Sequence, residues 1–549
     1  MCSATGHRRA AGLVRTAVRP IRLVEATCGA SKQRARVGWW LFATVALVYA
    51  ATSPGNLPGD AEVRWSVSRQ LWRGEAALEE EVGTFNYAVG EDGRRYSFYG
   101  LGQSLLMAPF AGLALVLAGA GVEAATADLV GQFLASVLLF PALGALGVYL
   151  LYRLALCLGL GQRGAVLTAL VGGLGTMHWH YSVNGQEQTQ VAALVLLALL
   201  LMEMNLERGR FGYRLLLCGA LGAALLFRLS ALVVVGPIYV VAAASEVLRS
   251  SAHRRGSLVG EWLGALVLGM GPFLGVIGWY NYARFGGVLE SGYGLALATA
   301  LGGHGLFESE PMGTLAAMVV SPGKGIVLYN PVLVLAVIGL WGLWGRSRAL
   351  ALGLLGAVAG SFVFHGFFTA WAGDYAWSVR YQAVVVGLMV LPLGLLWERL
   401  GGYWQRGAVA AVVGLSVAVQ LASVAYNFNL EFTQQPNHGI VPDGYVWRWS
   451  ESHLVGRWVN IGRHVTGQRD FSSEVVAQEE PYLYKVNYTP EAVERAYTVN
   501  WFPFKAVGFL GAGALGGVLL AGWLMVLVLA GVSAALLVRA VRRARGQLV

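Results

Sequence analysis

The sequence predicts an all-α polytopic membrane protein, and three observations carry that expectation. Of 549 residues, 56% are hydrophobic and only 13% charged, and the mean hydropathy is +0.57, so charges are too few to solubilise a globule of this size. Apolar runs long enough to cross the hydrocarbon core recur along the whole chain. The basic residues gather in short clusters between those runs, the pattern of cytoplasmic loops, so the net charge of +10 reads as topology and not as a nucleic-acid surface. The 74 glycines suit helices that pack closely in lipid.

Residues 1–37 form a basic tail with eight Lys or Arg before Gly38 and one acid, Glu25. No small-residue cleavage site closes the apolar run that starts at Trp39, so the tail reads as cytoplasmic, ahead of a signal anchor; an organelle transit peptide would be equally basic. Arg34 and Arg36 keep the amino end inside and bring Asp60 out on the external side of the first span, 38–53. A first external loop follows, about 56–127, combining the acidic "EAALEEEVG" with "LGQSLLMAPFAGLALVLAGAG", an apolar stretch placed as a helix lying on the outer surface. That placement keeps every later arginine cluster on one side.

The remaining runs lie near 128–153, 164–182, 189–206, 213–227, 229–247, 258–281, 328–345, 349–368, 382–397, 407–425 and 506–538, giving about twelve spans with both termini cytoplasmic. The runs at 213–227 and 229–247 flank Arg228 and are short, which suggests a hairpin whose tip stops within the outer half of the membrane, with Arg228 facing protein or a water-filled cavity. The expected organisation is therefore a tail (1–37), a transmembrane domain (38–425), a small external cap (426–505), and a last span with a basic tail (506–549). Cys2, Cys28, Cys157 and Cys218 have no partners in expected external loops, so neither a disulfide framework nor a zinc site is indicated.

On this topology the polar clusters share one face: "GDAEVR" (59–64), "RRYSFYGLGQS" (94–104), "HWHYSVNGQEQTQ" (178–190), "NYARFGGVLESGYG" (281–294), "SPGKGIVLYNP" (321–331) and "WAGDYAWSVRY" (371–381). A site opening outward follows. A transporter with alternating access, the competing reading for about twelve spans, places ionisable residues near the middle of several of them.

Taken in order, the acid just past the first span, the "YGLGQ" segment, a Glu after the third span, "NYARFGGVLESGYG", "SPGKGIVLYNP" and the late W-x-G-D-x-x-W-x-x-R-Y resemble bacterial membrane glycosyltransferases of the GT-C fold, the relatives of protein O-mannosyltransferases and lipid A aminoarabinose transferases. The matching pieces span about 38–400. The resemblance implies a polyprenyl-phosphate-linked sugar as donor, a glycan, lipid or protein acceptor offering a hydroxyl or amine, transfer on the external or periplasmic face of the bacterial inner (plasma) membrane, and inversion at the anomeric carbon. A ligase using a diphosphate-linked donor would share the cationic site without requiring the same base.

Such chemistry needs a carboxylate to accept the acceptor's proton and cations to stabilise the departing phosphate. The family's first-loop carboxylate maps onto Asp60, the expected base, unless Asp60 only caps the helix beginning at Ala61 and pairs with Arg64 one turn on. Glu62, on another face of that helix, is the alternative acid. Lys324, between two glycines in "SPGKG", and Arg380 are expected at the phosphate, with Arg95 third; a lipid headgroup for Lys324 and an interfacial anchor for Arg380 are the plainer accounts. Asp374 is placed to orient Arg380 or bind sugar hydroxyls, and Tyr99 and Arg228 are expected at the substrate.

Glu187 and Glu290 are second-rank acids, and Glu187 lacks the proline that often follows it in the family and sits where it would stabilise a helix start. His178 and His180 alternate across a helix without a third ligand, so no metal is assigned to them. No cofactor is expected; Asp60 with one further acid would hold a divalent ion only weakly, through water. Trp371, Trp377, Trp447 and Trp449 suit either sugar stacking or membrane anchoring, and Asn487 begins a formal glycosylation triplet.

Overall fold

The structure, a computed structural model, describes residues 32–79, 87–301, 304–373, 376–427, 430–434, 442, 444–468, 498–510 and 513–546. Helices dominate. The first, α1 (Lys32–Ala51), runs until the helix-breaking "TSPGN", and α2 (Asp60–Trp72) follows. A two-stranded antiparallel hairpin, β1 (Tyr87–Val89) and β2 (Arg95–Ser97), pairs Tyr87 with Ser97. Next come α3 (Gly102–Gly119), α4 (Ala124–Leu134), α5 (Phe140–Cys157), α6 (Gln162–Leu174), α7 (His178–Val183), α8 (Gln188–Arg208), α9 (Phe211–Phe227), α10 (Leu232–Arg249), α11 (Ala252–Ala265) and α12 (Gly271–Phe285). The chain continues through α13 (Tyr293–Ala300), α14 (Pro311–Val320), α15 (Ile326–Tyr329), α16 (Leu333–Arg346), α17 (Arg348–Phe367), α18 (Ala383–Met389), α19 (Leu391–Arg399) and α20 (Tyr403–Ala425). It ends with α21 (His453–Val465), α22 (Phe502–Leu510) and α23 (Ala514–Gly546).

Among the described residues nine helices are long and apolar enough to cross a membrane, and three shorter apolar ones accompany them, Phe211–Phe227, Pro311–Val320 and Leu333–Arg346. Nine long and three shorter apolar helices among the described residues are in keeping with the expectation of about twelve spans. The chain is an all-α polytopic membrane protein. Its main core is apolar side chains between helices, with Val37, Leu41, Val45 and Tyr49 of α1 joined to Val148, Leu151 and Tyr152 of α5.

The stretch Ala124–Cys157 is one continuous helical element of 34 residues, joined through a π-helical turn at Ala135–Leu139. At 1.5 Å per residue it is about 51 Å long, well beyond the roughly 30 Å hydrocarbon core. With α5 packed among α1, α6 and α8, the surplus length is α4, which projects from the bundle. α2 and α3 pack together and α3 lies along α4, forming a lobe at that end. α3 is itself long and apolar enough to span; it packs against α2, α4 and α9 and exposes Leu105, Leu113 and Val116.

Two local expectations change. The piece after Arg228 is longer than expected: Leu229–Arg249 is a 21-residue helix, long enough to span, while α9 lies along α8 and α10 along α17. Arg228 interrupts the helices in an extended conformation, φ −158° and ψ 134°. Cys157 is disulfide-bonded, whereas Cys218 is free and buried.

Candidate active site

Gly59, at φ 57°, turns the chain out of "NLPG" into α2, whose first residue is Asp60. No side chain caps this helix start, so Asp60 is not occupied as a cap. Asp60 and Arg64 share a face one turn apart, and Ser68 continues it, donating to the carbonyls of Arg64 and Ser104 at 2.8 and 2.9 Å. That face looks inward. Glu62 lies on another, more exposed face, and partial desolvation together with the nearby Asp128 carboxylate raises its pKa.

Arg380 donates from Nη1 to Asp60 Oδ2 at 3.1 Å; the two side chains are 22% and 12% exposed. The loop that delivers Arg380 bends twice through positive φ, at Gly373 (70°) and Ser378 (58°). At Gly373 a Cβ would run into the Arg380 side chain, and at Ser378 the strained backbone is held by a hydrogen bond of 3.0 Å from its hydroxyl to the Lys324 carbonyl. Lys324 Nζ donates to the Ala376 carbonyl at 2.7 Å. Lys324 therefore fixes the loop that carries Arg380, and it belongs to a second buried polar cluster with His453, Trp377 and the Arg457–Glu431 pair, which are 2.6 Å apart.

Around Asp60 the remaining groups close in. Arg64 Nη2 lies 2.6 Å from Glu187 Oε2 in a buried ion pair, and its guanidinium covers the Tyr99 ring at 3.9 Å. Arg228 reaches Glu187 Oε1 at 3.6 Å and sits over the Tyr381 ring at 4.9 Å. Tyr99 hydrogen-bonds Asp60. Burial alone would push the Asp60 carboxyl up; Arg380, Arg64, Arg228 and the Tyr99 hydrogen bond outweigh it and hold the pKa below the ordinary carboxylate value. Tyr293, beside Arg228, Glu187 and Arg64, is pushed up to about 12, chiefly by burial, and stays a neutral phenol.

Among the described residues two carboxylates, Asp60 and Glu187, thus face three guanidiniums, Arg64, Arg228 and Arg380, which leaves one positive charge over. Arg64 Nε and Nη1 and Arg380 Nε are buried donors without hydrogen-bond acceptors. Beside the cluster lies a small, partly open cleft that shares Tyr99, Arg228 and Tyr293 with it and is also lined by Tyr280, Arg284 and the apolar Leu225, Leu226 and Ile277. Arg284 donates to the carbonyls of Tyr280 (3.1 Å), Ser97 and Tyr99, and to Asn281 Oδ1 (2.9 Å). All its hydrogen-bond partners are neutral, so its charge adds to the surplus beside the cavity. A cationic cleft with apolar walls suits the phosphate of an amphiphile.

Of the expected site residues, the structure brings together Asp60, Tyr99, Glu187, Arg228 and Arg380. Glu187 serves as the shared counter-ion of two arginines, and its side chain makes no cap to α8. Lys324 is one layer away, Arg95 is exposed on β2 over the Tyr87 ring at 4.8 Å, and Glu290 is exposed with Oε1 accepting from Gly292 N at 2.8 Å. Asp374 and Asn487 lie outside the described residues. Trp371 and Trp377 are buried in packing and present no face to a sugar, whereas Trp447 and Trp449 are exposed.

His178 and His180 meet backbone carbonyls of Gly144 and Ser423. Among the described residues no group of three or more His, Cys, Asp or Glu is placed to hold a metal. Sequence reasoning missed Arg284, Tyr293 and Tyr381 as site residues and did not foresee that Arg64, besides acting on Asp60, forms its ion pair with Glu187. The helical spacing of Asp60 and Arg64 put both on the inward face, but nothing local announced Glu187 as the partner.

No family model and no curated protein matches this chain. Solved structures do resemble it. ArnT from Cupriavidus metallidurans bound to undecaprenyl phosphate aligns over 86% of this chain and 77% of its own, at 15% identity and TM-score 0.46. The apo state of the same protein aligns over 87% and 77%, at 16% identity and TM-score 0.46. The apo Archaeoglobus fulgidus oligosaccharyltransferase aligns over 75% and 60%, at 12% identity and TM-score 0.44. Likenesses this distant carry no functional argument, and the chemistry of the site has to supply it.

Proposed function

We propose that the chain is an integral membrane glycosyltransferase that moves a sugar from a polyprenyl-phosphate donor to a hydroxyl or amine acceptor, without a cofactor, on the external face of a bacterial plasma membrane with both termini inside. The observation that carries this reading is a deprotonated carboxylate, Asp60, set among arginines in cationic excess beside an apolar-walled cavity. In the proposed reaction the acceptor oxygen or nitrogen attacks the anomeric carbon while Asp60 takes its proton. The bond from that carbon to the phosphate oxygen breaks, and the lipid phosphate leaves with both electrons. Arg228, Arg284 and Arg380 stabilise the charge it gains. A single displacement inverts the anomeric configuration.

The test is to incubate purified protein in lipid with labelled polyprenyl-phosphate sugars and an envelope extract as acceptor, and to read the product's anomeric configuration by NMR. Transfer with inversion is the expected result. Retention of configuration would overturn the direct displacement, and solute movement across vesicles without transfer would replace the enzyme with a transporter.

A further inference from the structure

The helix α21 is amphipathic with its burial inverted. His453, Arg457 and Asn460 point inward, where Arg457 pairs with Glu431 and Asn460 exchanges hydrogen bonds with Gln434. The opposite stripe, Val455, Trp458, Val459 and Val465, is exposed, Trp458 by 43% and Val465 by 80%. Exposed Trp447 and Trp449 lead into it. An apolar stripe of this width turned away from the described residues of its own protein calls for another apolar phase.

The depth of α21 is fixed by Arg457. Its guanidinium donates to the carbonyls of Ala422 (3.0 Å), Ser423 (3.2 Å), Tyr426 (3.3 Å) and Asn427 (3.0 Å), closing the carboxyl end of α20. α20 is one of the helices able to span a membrane, and it exposes Leu415 and Leu421 toward that same end. Trp501, which donates to the Val424 carbonyl at 3.0 Å and stacks on Trp523, marks the level with the aromatic pair usual at a membrane–water boundary.

We infer that α21 is an interfacial helix whose Val455, Trp458, Val459 stripe is seated in the headgroup–acyl boundary of the bilayer, continuing the lipid-facing surface of α20. The Ser452 hydroxyl at its start donates to the Pro322 carbonyl at 2.6 Å, so the loop holding Lys324 is tied to the lipid surface through it.

The full-length protein, reconstituted in vesicles of phosphatidylcholine with a phospholipid carrying a diazirine high in its acyl chain, is irradiated and the labelled peptides are mapped by mass spectrometry. Labelling of α21 alongside the outer end of α20 is expected. In the double variant Trp458→Ser, Val459→Ser the α21 label should fall about tenfold while the α20 label is unchanged; because both side chains are exposed, that internal control also reports a folded chain. An α21 that stays unlabelled while α20 is labelled overturns the inference and leaves the stripe to a protein surface, either residues 469–497 or a second copy of the chain.

Discussion

Arg380 and Asp60 stand 320 positions apart in the sequence and 3.1 Å apart at the head of α2. The ion pair joins the first loop after α1 to the loop ahead of α18. Together with Arg64, Arg228 and the Tyr99 hydrogen bond, Arg380 holds the Asp60 pKa down and keeps it ionised, the state in which a carboxylate can accept a proton.

The pH dependence follows from that pairing. A depressed carboxyl pKa contributes stability that is present above the unfolded value, about 3.9, and is lost as pH falls through the folded value. Transfer should therefore hold steady from neutral pH down to the ordinary carboxylate range. Arg380→Gln removes the main opposing charge, so the acid limb of the residual activity should move upward, which a pH–rate profile of the two proteins would show.

Glu187→Gln should destabilise the fold. Arg64 is almost fully buried against Glu187, and an uncompensated buried guanidinium costs about 3 to 5 kcal/mol. Thermal unfolding in detergent should show the loss, and adding Arg64→Met to the same chain should recover part of it, whereas equal unfolding of the single and double variants would show that the pair does not hold the helices.

Glu62→Gln should leave transfer within about twofold of wild type, because Glu62 lies on the exposed face of α2 and surface substitutions are usually within ±0.5 kcal/mol. A collapse of turnover in this variant, measured beside Asp60→Asn, would reassign the base.

Gly100→Ala tests the cavity wall without touching a charged group. A Cβ at Gly100 would overlap the backbone carbonyls of Leu226 and Phe227, so the Tyr99 segment has to move off the end of α9. Overpacking of this kind costs about 1 to 3 kcal/mol, and the expected outcome is lower turnover with Tyr99 displaced from Asp60. Unchanged turnover would mean that Tyr99 does not position the base.

Much of this was legible from the chain alone, for reasons that individual residues make clear. The membrane class follows from composition, and Asp60 stood out because an acid follows the first span at once. Arg380 was legible as a cation at a span mouth. What joins them was not, because a contact between positions 60 and 380 depends on how α1, α5, α8 and α18 pack, and periodicity carries no such information. Lys324 was read as a lysine between two glycines in an anion loop; that its Nζ is buried and donates to the Ala376 carbonyl, in the loop that carries Arg380, was not legible from the local sequence. Arg228 was recognised as a charge between apolar runs, but the helix after it is longer than hydropathy suggested. Glu187 was discounted as a helix-start residue because its partners, Arg64 and Arg228, are distant in sequence.

Whether Asp60 is the proton acceptor is best decided with Asp60→Asn, purified in lipid and shown by thermal unfolding to be folded, assayed for sugar transfer and for donor binding beside wild type. Transfer should fall by about 10² to 10⁴-fold with donor binding retained. Transfer at the wild-type rate in a folded Asp60→Asn protein would contradict the mechanism.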